Sequence, residues 1–244
     1  MITVVIPTLN AEATLPATLS ALVSAAVEGL VREVIVVDGG SGDASCRIAE
    51  EMGATVLTAA ASRGGQLGLG AHHARMPWLL FLHGDTVLAP GWEREVGDFV
   101  RRVEQRPAGP IAAAFRYSLD DIGLAPRALE AMVRLRCLLL ALPYGDQGLL
   151  IPRRLYDQVG GYAALPIMED IDIVRRLGRR RITTLRSCAL TSARRYRDEG
   201  YFARVVRNQV CLALYFSGLS IPRFAKLYGA RPSAGGGPGE IKSA

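Results

Sequence analysis

Five apolar residues run directly into a polar end in the segment Trp78-Leu79-Leu80-Phe81-Leu82-His83-Gly84-Asp85. An uninterrupted apolar run of this length is typical of a strand that is covered on both faces, as in a parallel sheet. Open α/β sheets bind ligands in the crevice at the carboxyl ends of their strands. We therefore expect Asp85 to be a cation ligand at such a crevice. His83 is a second candidate ligand, with a hydrogen-bonded structural role as its alternative.

Two further candidate strands end in polar segments of the same kind. Val34-Ile35-Val36-Val37 runs into Asp38-Gly39-Gly40-Ser41-Gly42-Asp43, and Ile2-Thr3-Val4-Val5-Ile6 runs into Pro7-Thr8-Leu9-Asn10. Because parallel strands end at one edge of a sheet, these segments predict a nucleotide site. Asp38 is expected to accept hydrogen bonds from ribose hydroxyls or from a base. Its alternative role is to cap its own turn.

The order of the remaining elements predicts one α/β domain over residues 1–230. Strands that alternate with helices indicate right-handed βαβ units, and we expect a mixed, mainly parallel sheet flanked by helices. Asn10 is the expected N-cap of the first helix, and the Gly-, Pro- and Ser-rich residues 231–244 are expected to form a flexible tail. The expected helices are 13–30, 44–52, 67–74, 92–102, 125–142, 171–177, 201–217 and 222–228, and the other expected strands are 55–57, 111–117, 149–151 and 182–185.

Composition narrows the classes of partner. The 244 residues are 50% hydrophobic, which suffices for one substantial core, and the net charge of +6 favours anionic partners. Only 7% of residues are aromatic, with no aromatic and basic interleaving, so we expect no nucleic acid. The four cysteines form no CxxC pair, which argues against a zinc or redox site.

The sequence also predicts where in the cell the protein is located. The chain opens directly on a strand, so we expect no signal peptide, and no uncharged apolar segment reaches the ~18 residues that span a bilayer. We expect a cytoplasmic protein. The strongly apolar end of helix 125–142 leaves open a homodimer interface or a peripheral contact with the inner face of the membrane.

Three carboxylates lie at one loop–helix junction, at Glu169, Asp170 and Asp172. Acidic residues in a first turn stabilise the helix dipole, and that accounts for one or two of them. The third leaves room for a general base that faces a substrate hydroxyl. Glu169 and Asp170 are therefore the candidate catalytic residues.

Three further segments carry candidate binding residues. Arg63-Gly64 places a guanidinium before a helix N-terminus, where it can bind phosphate or remain solvated. Asp146-Gln147 can hydrogen-bond sugar hydroxyls or simply form a turn. Arg195, in a basic run, can counter a leaving diphosphate or belong to a solvated face.

Together these segments resemble an inverting glycosyltransferase of family two, which has the GT-A fold. Val4-Val5-Ile6-Pro7-Thr8-Leu9-Asn10 resembles the first strand and nucleotide loop of that family, and Val36-Val37-Asp38 its second strand with the base- and ribose-binding aspartate. Leu82-His83-Gly84-Asp85-Thr86 stands at the metal-binding DxD position, with His83 in place of the first aspartate. Glu169-Asp170 matches the ED motif, where a carboxylate is the catalytic base.

The resemblance implies a role for each candidate residue. Residues 1–118 would hold a nucleotide-sugar and residues 119–230 an acceptor of unknown identity. Asp170 would be the base, with Glu169 as the runner-up, and Asp85 with His83 would hold Mn²⁺ or Mg²⁺. The remaining implied contacts are Pro7, Thr8, Asn10, Asp38, Arg63 and Gly64 for the nucleotide, and Asp146, Gln147 and Arg195 for the acceptor or diphosphate.

Finer motifs are similar to a bacterial subgroup of these transferases that is associated with radical-SAM/selenodomain proteins. They are His83-Gly84-Asp85-Thr86, Gly145-Asp146-Gln147-Gly148 and Thr191-Ser192-Ala193-Arg194-Arg195. Two alternatives remain: a nucleotidyltransferase that makes nucleotide-sugars, and a non-catalytic module that binds them. Pro7-Thr8-Leu9-Asn10 lacks the basic, glycine-rich triphosphate loop that the first requires. A Rossmann dehydrogenase is disfavoured because the first turn lacks GxGxxG.

Overall fold

Eight strands form the central sheet of the computed structural model, which describes residues 1–140, 142–217 and 219, without the side chains of Leu140 and Arg195. Their apolar sequences favour burial on both faces of the sheet. They are β1 (Ile2–Thr8), β2 (Val31–Asp38), β3 (Thr55–Thr58), β4 (Trp78–Phe81), β5 (Thr86–Leu88), β6 (Ala112–Leu119), β7 (Leu149–Pro152) and β8 (Ile182–Thr191).

Within these residues, ten α-helices connect or cover the strands, and two short 3-10 helices span Gly145–Gln147 and Arg179–Arg181. The helices are α1 (Leu15–Ser20), α2 (Val23–Val27), α3 (Ser45–Glu51), α4 (Arg63–His73), α5 (Trp92–Glu104), α6 (Leu124–Leu140), α7 (Arg153–Gln158), α8 (Glu169–Leu177), α9 (Arg194–Glu199) and α10 (Tyr201–Phe216). No helix in the described part of the chain combines the length and the hydropathy needed to cross a bilayer.

The sheet has the order β3-β2-β1-β4-β7-β6-β8-β5. Strands β3, β2, β1 and β4 are parallel, β7 is antiparallel to both β4 and β6, β6 and β8 are parallel, and β5 is antiparallel to β8. This arrangement confirms the predicted α/β fold with a mixed, mainly parallel sheet. We predicted that residues 1–118 hold the nucleotide-sugar and residues 119–230 the acceptor. The sheet is continuous across residue 118, and this division of roles stays a prediction.

The parallel half aligns the strand ends that carry the candidate residues. Thr8 is in register with Asp38, and the backbone N–H of Leu82 donates to the carbonyl of Val5. Apolar clusters cover both faces of the sheet. In β1, the side chains of Ile2, Val4 and Ile6 pack on one face, and the side chain of Val5 packs on the other. The ends of β1, β2 and β4 therefore meet at one edge of a rigid sheet.

The first helical region differs from its prediction. Instead of one helix over 13–30, the structure has α1 and α2, with Pro16 in the first turn of α1 as expected. Asn10 is not the N-cap, because α1 begins later and its N-cap is Thr14. Asn10 has a φ of 53°, and its side-chain oxygen instead accepts the N–H of Gly42.

Other boundaries also moved. Helix α4 begins at Arg63 rather than at residue 67, α8 begins at Glu169 rather than at 171, and β8 extends to Thr191 rather than 185. Strand β5 and helices α7 and α9 were not predicted, because each is six residues or shorter and carries little periodicity. The predicted helix 222–228 and the tail 231–244 lie outside the described residues.

Candidate active site

Asp38 fastens the loop that follows β2. Its side chain is 2% exposed and accepts hydrogen bonds from the hydroxyls of Thr8 (3.2 Å) and Ser41 (2.5 Å). It also accepts the backbone N–H groups of Gly40 (2.9 Å) and Ser41 (2.7 Å). The turn-capping role is thus present, and contact with a ribose or base stays a prediction.

A second set of bonds joins this loop to the end of β1. The backbone N–H of Asn10 donates to the Ser41 hydroxyl (2.8 Å), and the N–H of Glu12 donates to Asp43 (3.1 Å). Gln66 of α4 donates from its amide to the carbonyls of Thr8 (2.9 Å) and Val37 (2.7 Å). The structure therefore brings Pro7, Thr8, Asn10 and Asp38 together as one surface.

A cavity of about 110 Å³ opens beside this surface. The residues that follow β4, the Gly145–Gln147 turn, the start of α8, and helices α6 and α10 enclose it. Predicted site residues from four separate segments line it, namely Arg63, His83, Asp85, Asp146 and Asp170.

Asp38 lies outside the cavity but at the same sheet edge as Asp85. Gly84 links the two places: a Cβ on it would lie 3.3 Å from Thr8 Cγ2 and 3.7 Å from the carbonyl oxygen of Pro7. The hydroxyl of Thr14 donates to the Gly84 carbonyl (2.7 Å). The loop after β1 and the acidic cavity are therefore adjacent parts of one crevice.

Asp170 presents a carboxylate to the cavity from the first turn of α8. Its Oδ2 accepts the backbone N–H of Gly145 (2.7 Å), which ties α8 to the 3-10 turn. The residue before Glu169 is Met168, whose φ of 64° is rare for a residue with a side chain. This left-handed residue ends the preceding loop abruptly, so that Asp170 enters the helix facing the cavity.

Glu169 is enclosed, unlike Asp170. It is 1% exposed, and among the described residues its nearest cation is Arg63, with Nε 3.6 Å from Oε1. Burial raises the pKa of Glu169 from 4.5 to about 7, against the opposing charge of Arg63. Glu169 therefore holds a proton up to near-neutral pH.

This shift predicts a pH-dependent contribution to stability. Between about pH 4.5 and 7 the folded chain keeps a proton on Glu169 that the unfolded chain has lost, so the free energy of unfolding falls as pH rises. Glu169→Gln removes this titration. We expect the difference in unfolding free energy between variant and wild type to change by on the order of 3 kcal/mol across that window, in favour of the variant at high pH. Urea denaturation at a series of pH values measures it, and a constant difference contradicts the raised pKa.

Gly64 allows α4 to approach the loop before α8. Its backbone N–H donates to the Leu165 carbonyl (3.1 Å), and a Cβ on it would lie 2.1 Å from the Ala163 carbonyl oxygen. Arg63 is carried on the same turn, so this contact sets its distance from Glu169. Gly64 is thus placed for packing, and its predicted contact with the nucleotide stays a prediction.

Gly64→Ala is expected to destabilise the fold. The new methyl group cannot enter without moving the backbone, which costs roughly 1–3 kcal/mol. Gly68→Ala in the same helix is the matched control, because its Cβ would lie 3.7 Å from the nearest atom. Thermal melts should show a lower Tm for Gly64→Ala only. A Gly64→Ala chain that melts at or above the wild-type temperature contradicts the contact.

A comparison with known families now identifies the class of protein. The sequence profile of the family described as Glycosyl transferase family 2 matches residues 3–166, more than half of the chain. This chain belongs to glycosyl transferase family 2. The match spans the nucleotide loop, Asp85 and Asp146, and it assigns the chain to the glycosyltransferase class of enzymes.

Solved structures of glycosyltransferases share the fold of this family-2 chain. Glucosyl-3-phosphoglycerate synthase from Mycobacterium tuberculosis, in complex with Mn²⁺, UDP and its product, is 26% identical with a TM-score of 0.52, over 79% of this chain and 70% of that one. Mannosyl-3-phosphoglycerate synthase from Rubrobacter xylanophilus is 18% identical with a TM-score of 0.59, over 90% and 76%.

S. aureus TarS 1-349 is a third match, 16% identical with a TM-score of 0.62, over 86% of this chain and 64% of that one. The family-2 chain spans about two thirds of the length of the first matched structures. At the lower identities the likeness shows the fold alone. No curated protein sequence matches the chain significantly.

The acidic side chains of the family-2 chain were tested for their fit to a divalent cation. Oδ1 of Asp85 and Oδ1 of Asp146 are buried and have no hydrogen-bond partner among the described residues. No group of three or more His, Cys, Asp or Glu side chains in that part of the chain is arranged to hold a metal ion. The two unpartnered carboxylate oxygens fit Mg²⁺ or Mn²⁺ held by one or two carboxylates, with substrate phosphates and water as the other ligands.

Asp146 has a raised pKa. Burial, the largest cause, and the charges of Asp170 and Asp85 together raise the pKa of Asp146 from 3.8 to about 6, against the opposing charge of Arg136. The backbone carbonyl of Asp146 accepts the Thr191 hydroxyl (3.1 Å), so the turn is held from β8 as well. A buried carboxylate without a hydrogen-bond donor within the described residues favours a ligand that brings one.

Gln147 supports the site from behind. It is 1% exposed, its amide donates to the Phe115 carbonyl (2.9 Å), and its oxygen accepts the N–H of Tyr144 (3.2 Å). It is placed to hold the turn rather than to touch an acceptor, so its acceptor role has no support from this geometry. Arg195 begins α9 with Arg194, but its side chain is outside the described part of the structure.

Sequence reasoning missed Arg136 and Tyr144, which line the cavity. The guanidinium carbon of Arg136 lies 3.3 Å from the centre of the Tyr144 ring, and Arg136 also donates to the carbonyl of Leu142 (3.0 Å). Arg136 therefore fixes the turn that carries Asp146. Its position in the middle of α6 gave no signal, because an arginine there is usually solvated.

Proposed function

We propose that this chain transfers a sugar from a nucleoside-diphosphate donor to an acceptor hydroxyl, with inversion at the anomeric carbon. The observation that carries the proposal is the convergence of Asp85, Asp146 and Asp170 on one cavity beside the nucleotide loop. Family membership supports the reaction class, and the matched synthase in complex with UDP supports a nucleotide-sugar donor. A single in-line displacement inverts the configuration.

Asp170 is the proposed general base. It faces the cavity, whereas Glu169 beside it is enclosed and has a pKa of about 7. A base must reach the proton that it accepts, so exposure to the acceptor decides between the two carboxylates. Glu169, paired with Arg63, then orients the first turn of α8.

The donor is proposed to lie along the ends of β1, β2 and β4. Pro7, Thr8, Asn10 and Asp38 would hold the nucleoside, and Arg63 and Arg195 would add positive charge near the diphosphate. Asp85, with His83 beside it, would hold Mn²⁺ or Mg²⁺. When bound, such a cation neutralises the charge that develops on the leaving diphosphate.

Finer assignments also remain proposals. The motifs around His83, Asp146 and Arg194 support membership of the subgroup associated with radical-SAM/selenodomain proteins. A cytoplasmic location is likewise part of the proposal. Exposed apolar residues on α6, such as Leu138, and on α10, such as Phe202, leave a homodimer or a contact with the inner membrane face open.

A thermal-shift screen tests the proposed function. The purified chain of 244 residues is melted with UDP, GDP, CDP and the corresponding nucleotide-sugars, each with and without Mn²⁺. We expect one nucleoside diphosphate to raise the Tm, and more strongly with Mn²⁺, because a ligand that binds the native state stabilises it. Release of that diphosphate from the matching nucleotide-sugar then separates an enzyme from a binding module. No shift with any nucleotide contradicts the proposal.

A further inference from the structure

The cavity has two chemically different ends. Near Asp85, Asp146 and Asp170 it is acidic. Along α6 and the start of α8 its wall carries the aliphatic side chains of Leu129, Met132, Val133, Ile167 and Ile171, and α10 adds Val205 beside the polar side chains of Asn208 and Gln209. The spacing of the three α6 residues puts them on one face of that helix.

The acidic end of the cavity favours a ligand whose hydroxyl groups donate hydrogen bonds. Oδ1 of Asp146 and Oδ1 of Asp85 are buried with no donor among the described residues. An ionised carboxylate only accepts hydrogen bonds, so a ligand here must supply O–H or N–H groups or a cation. Asn208 of α10 also lines the cavity, and its side-chain oxygen is buried without a hydrogen-bond partner among the described residues.

The aliphatic side chains of α6 and α8 offer no hydrogen bond to a sugar hydroxyl. Side chains of Leu, Ile, Val and Met have no strong donor or acceptor, so polar groups placed against them lose hydrogen bonds to water. A hydrocarbon group gains there, because the same wall removes it from water. Met132 is 39% exposed, which keeps this end open to an entering ligand.

Hydrogen bonds hold helix α6, which carries part of the aliphatic wall, against the rest of the fold. Glu130 of α6 accepts both the Ser118 hydroxyl (2.9 Å) and the Leu119 N–H (2.9 Å) of β6. Further along α6, Arg136 packs on the Tyr144 ring and donates to the Leu142 carbonyl. Helix α6 is therefore fixed to the sheet on one side and, through Arg136, to the Gly145–Gln147 turn on the other, so the aliphatic wall that it carries is preformed.

We propose that the acceptor is an amphipathic alcohol, with its hydroxyl at the acidic end and a hydrocarbon group against the aliphatic wall. This inference rests on the proposed glycosyl transfer. The acceptor oxygen forms a bond to the anomeric carbon while the bond from that carbon to the diphosphate breaks. The hydroxyl proton passes to Asp170, and the nucleoside diphosphate leaves.

Two matched probes test the preference. Octyl β-D-glucoside, below its micelle concentration, and methyl β-D-glucoside differ only in their alkyl group. Binding of each to the full chain is measured by calorimetry, with and without UDP and Mn²⁺. We expect the octyl compound to bind at least tenfold more tightly, because its additional methylene groups are buried.

Charged substitutions locate the site. Met132→Glu and Val205→Glu are expected to reduce the octyl preference to threefold or less. Leu135→Glu is the matched control, because this residue of α6 is 55% exposed and points away from the cavity. It should retain the preference. A cooperative thermal melt of each variant without ligand, near the wild-type Tm, confirms that the chain is folded.

The outcomes separate the two proposals. UDP binding without an octyl preference overturns the amphipathic acceptor and leaves glycosyl transfer standing. An octyl preference that is sensitive to Met132→Glu, in a chain that binds no nucleotide, supports the apolar site and overturns the proposed function. A preference lost in Leu135→Glu but kept in Met132→Glu places binding on the outer face of α6 and also overturns the inference.

Discussion

Asp170→Asn is expected to lower kcat by roughly 10²- to 10⁴-fold, the usual contribution of a general base. The amide oxygen can still accept the Gly145 N–H that Asp170 Oδ2 accepts at 2.7 Å, so the turn and α8 should remain in place. An amide cannot take the proton of the acceptor hydroxyl at neutral pH. Rate measurements with the donor identified by the nucleotide screen, together with the Kd for its diphosphate, test this.

Asp172→Asn is the matched control. Asp172 lies on the same helix, but its carboxylate pairs with Arg176 and is not among the groups that line the cavity. We expect this variant to retain kcat within about threefold and both variants to bind the nucleoside diphosphate as the wild type does. Normal turnover by Asp170→Asn would transfer the role of base to another residue.

The second large effect concerns Asp85. With Mn²⁺ present, Asp85→Asn should weaken binding of the nucleoside diphosphate by roughly 100-fold, because a bound cation contributes several kcal/mol at a charged leaving group. Without Mn²⁺ the variant and the wild type should bind alike. Titration calorimetry in both buffers gives the four constants.

Asp98→Asn on the exposed surface of α5 controls for the loss of one negative charge. It should leave both constants unchanged. If Asp85→Asn weakens binding equally with and without Mn²⁺, Asp85 contacts the nucleotide or holds the loop rather than the cation. That result would also remove the role proposed for His83, since the two residues flank Gly84.

Much of the fold followed from local patterns. The apolar runs that end at Asp38 and Asp85 are strands in a parallel arrangement, as predicted, because continuous apolar character reflects burial on both faces. The glycine after α3, Gly53, has a φ of 82°, as the predicted helix end requires. Periodicity and turn residues encode such features within a few positions of the chain.

The cavity could be predicted only in part. Strand ends located Asp85, and the acidic junction located Asp170, but their common cavity depends on β7 running antiparallel to β4, which no local pattern encodes. Arg136 and part of the aliphatic wall belong to α6, and the packing of α6 against β6 is a long-range contact. The close approach of two backbones at Gly64 is a long-range contact as well, and no local pattern predicted it.

The boundary at Glu169 shows the same limit. Sequence reasoning placed Glu169 and Asp170 in a loop before the helix, and the structure places both in its first turn. The cause is Met168, which takes a left-handed conformation that its side chain disfavours. Surrounding packing with Ile167 and Ile171 compensates for this cost, and such compensation is absent from the local sequence.

A crystal structure of the chain with UDP and Mn²⁺ tests the central claim most directly. The account predicts that the nucleoside lies along the loops after β1 and β2, near Asp38, and that the diphosphate and one Mn²⁺ lie beside Asp85 at the mouth of the acidic cavity. Diphosphate bound elsewhere on the molecule, with Asp85 and Asp170 facing only water, would contradict it.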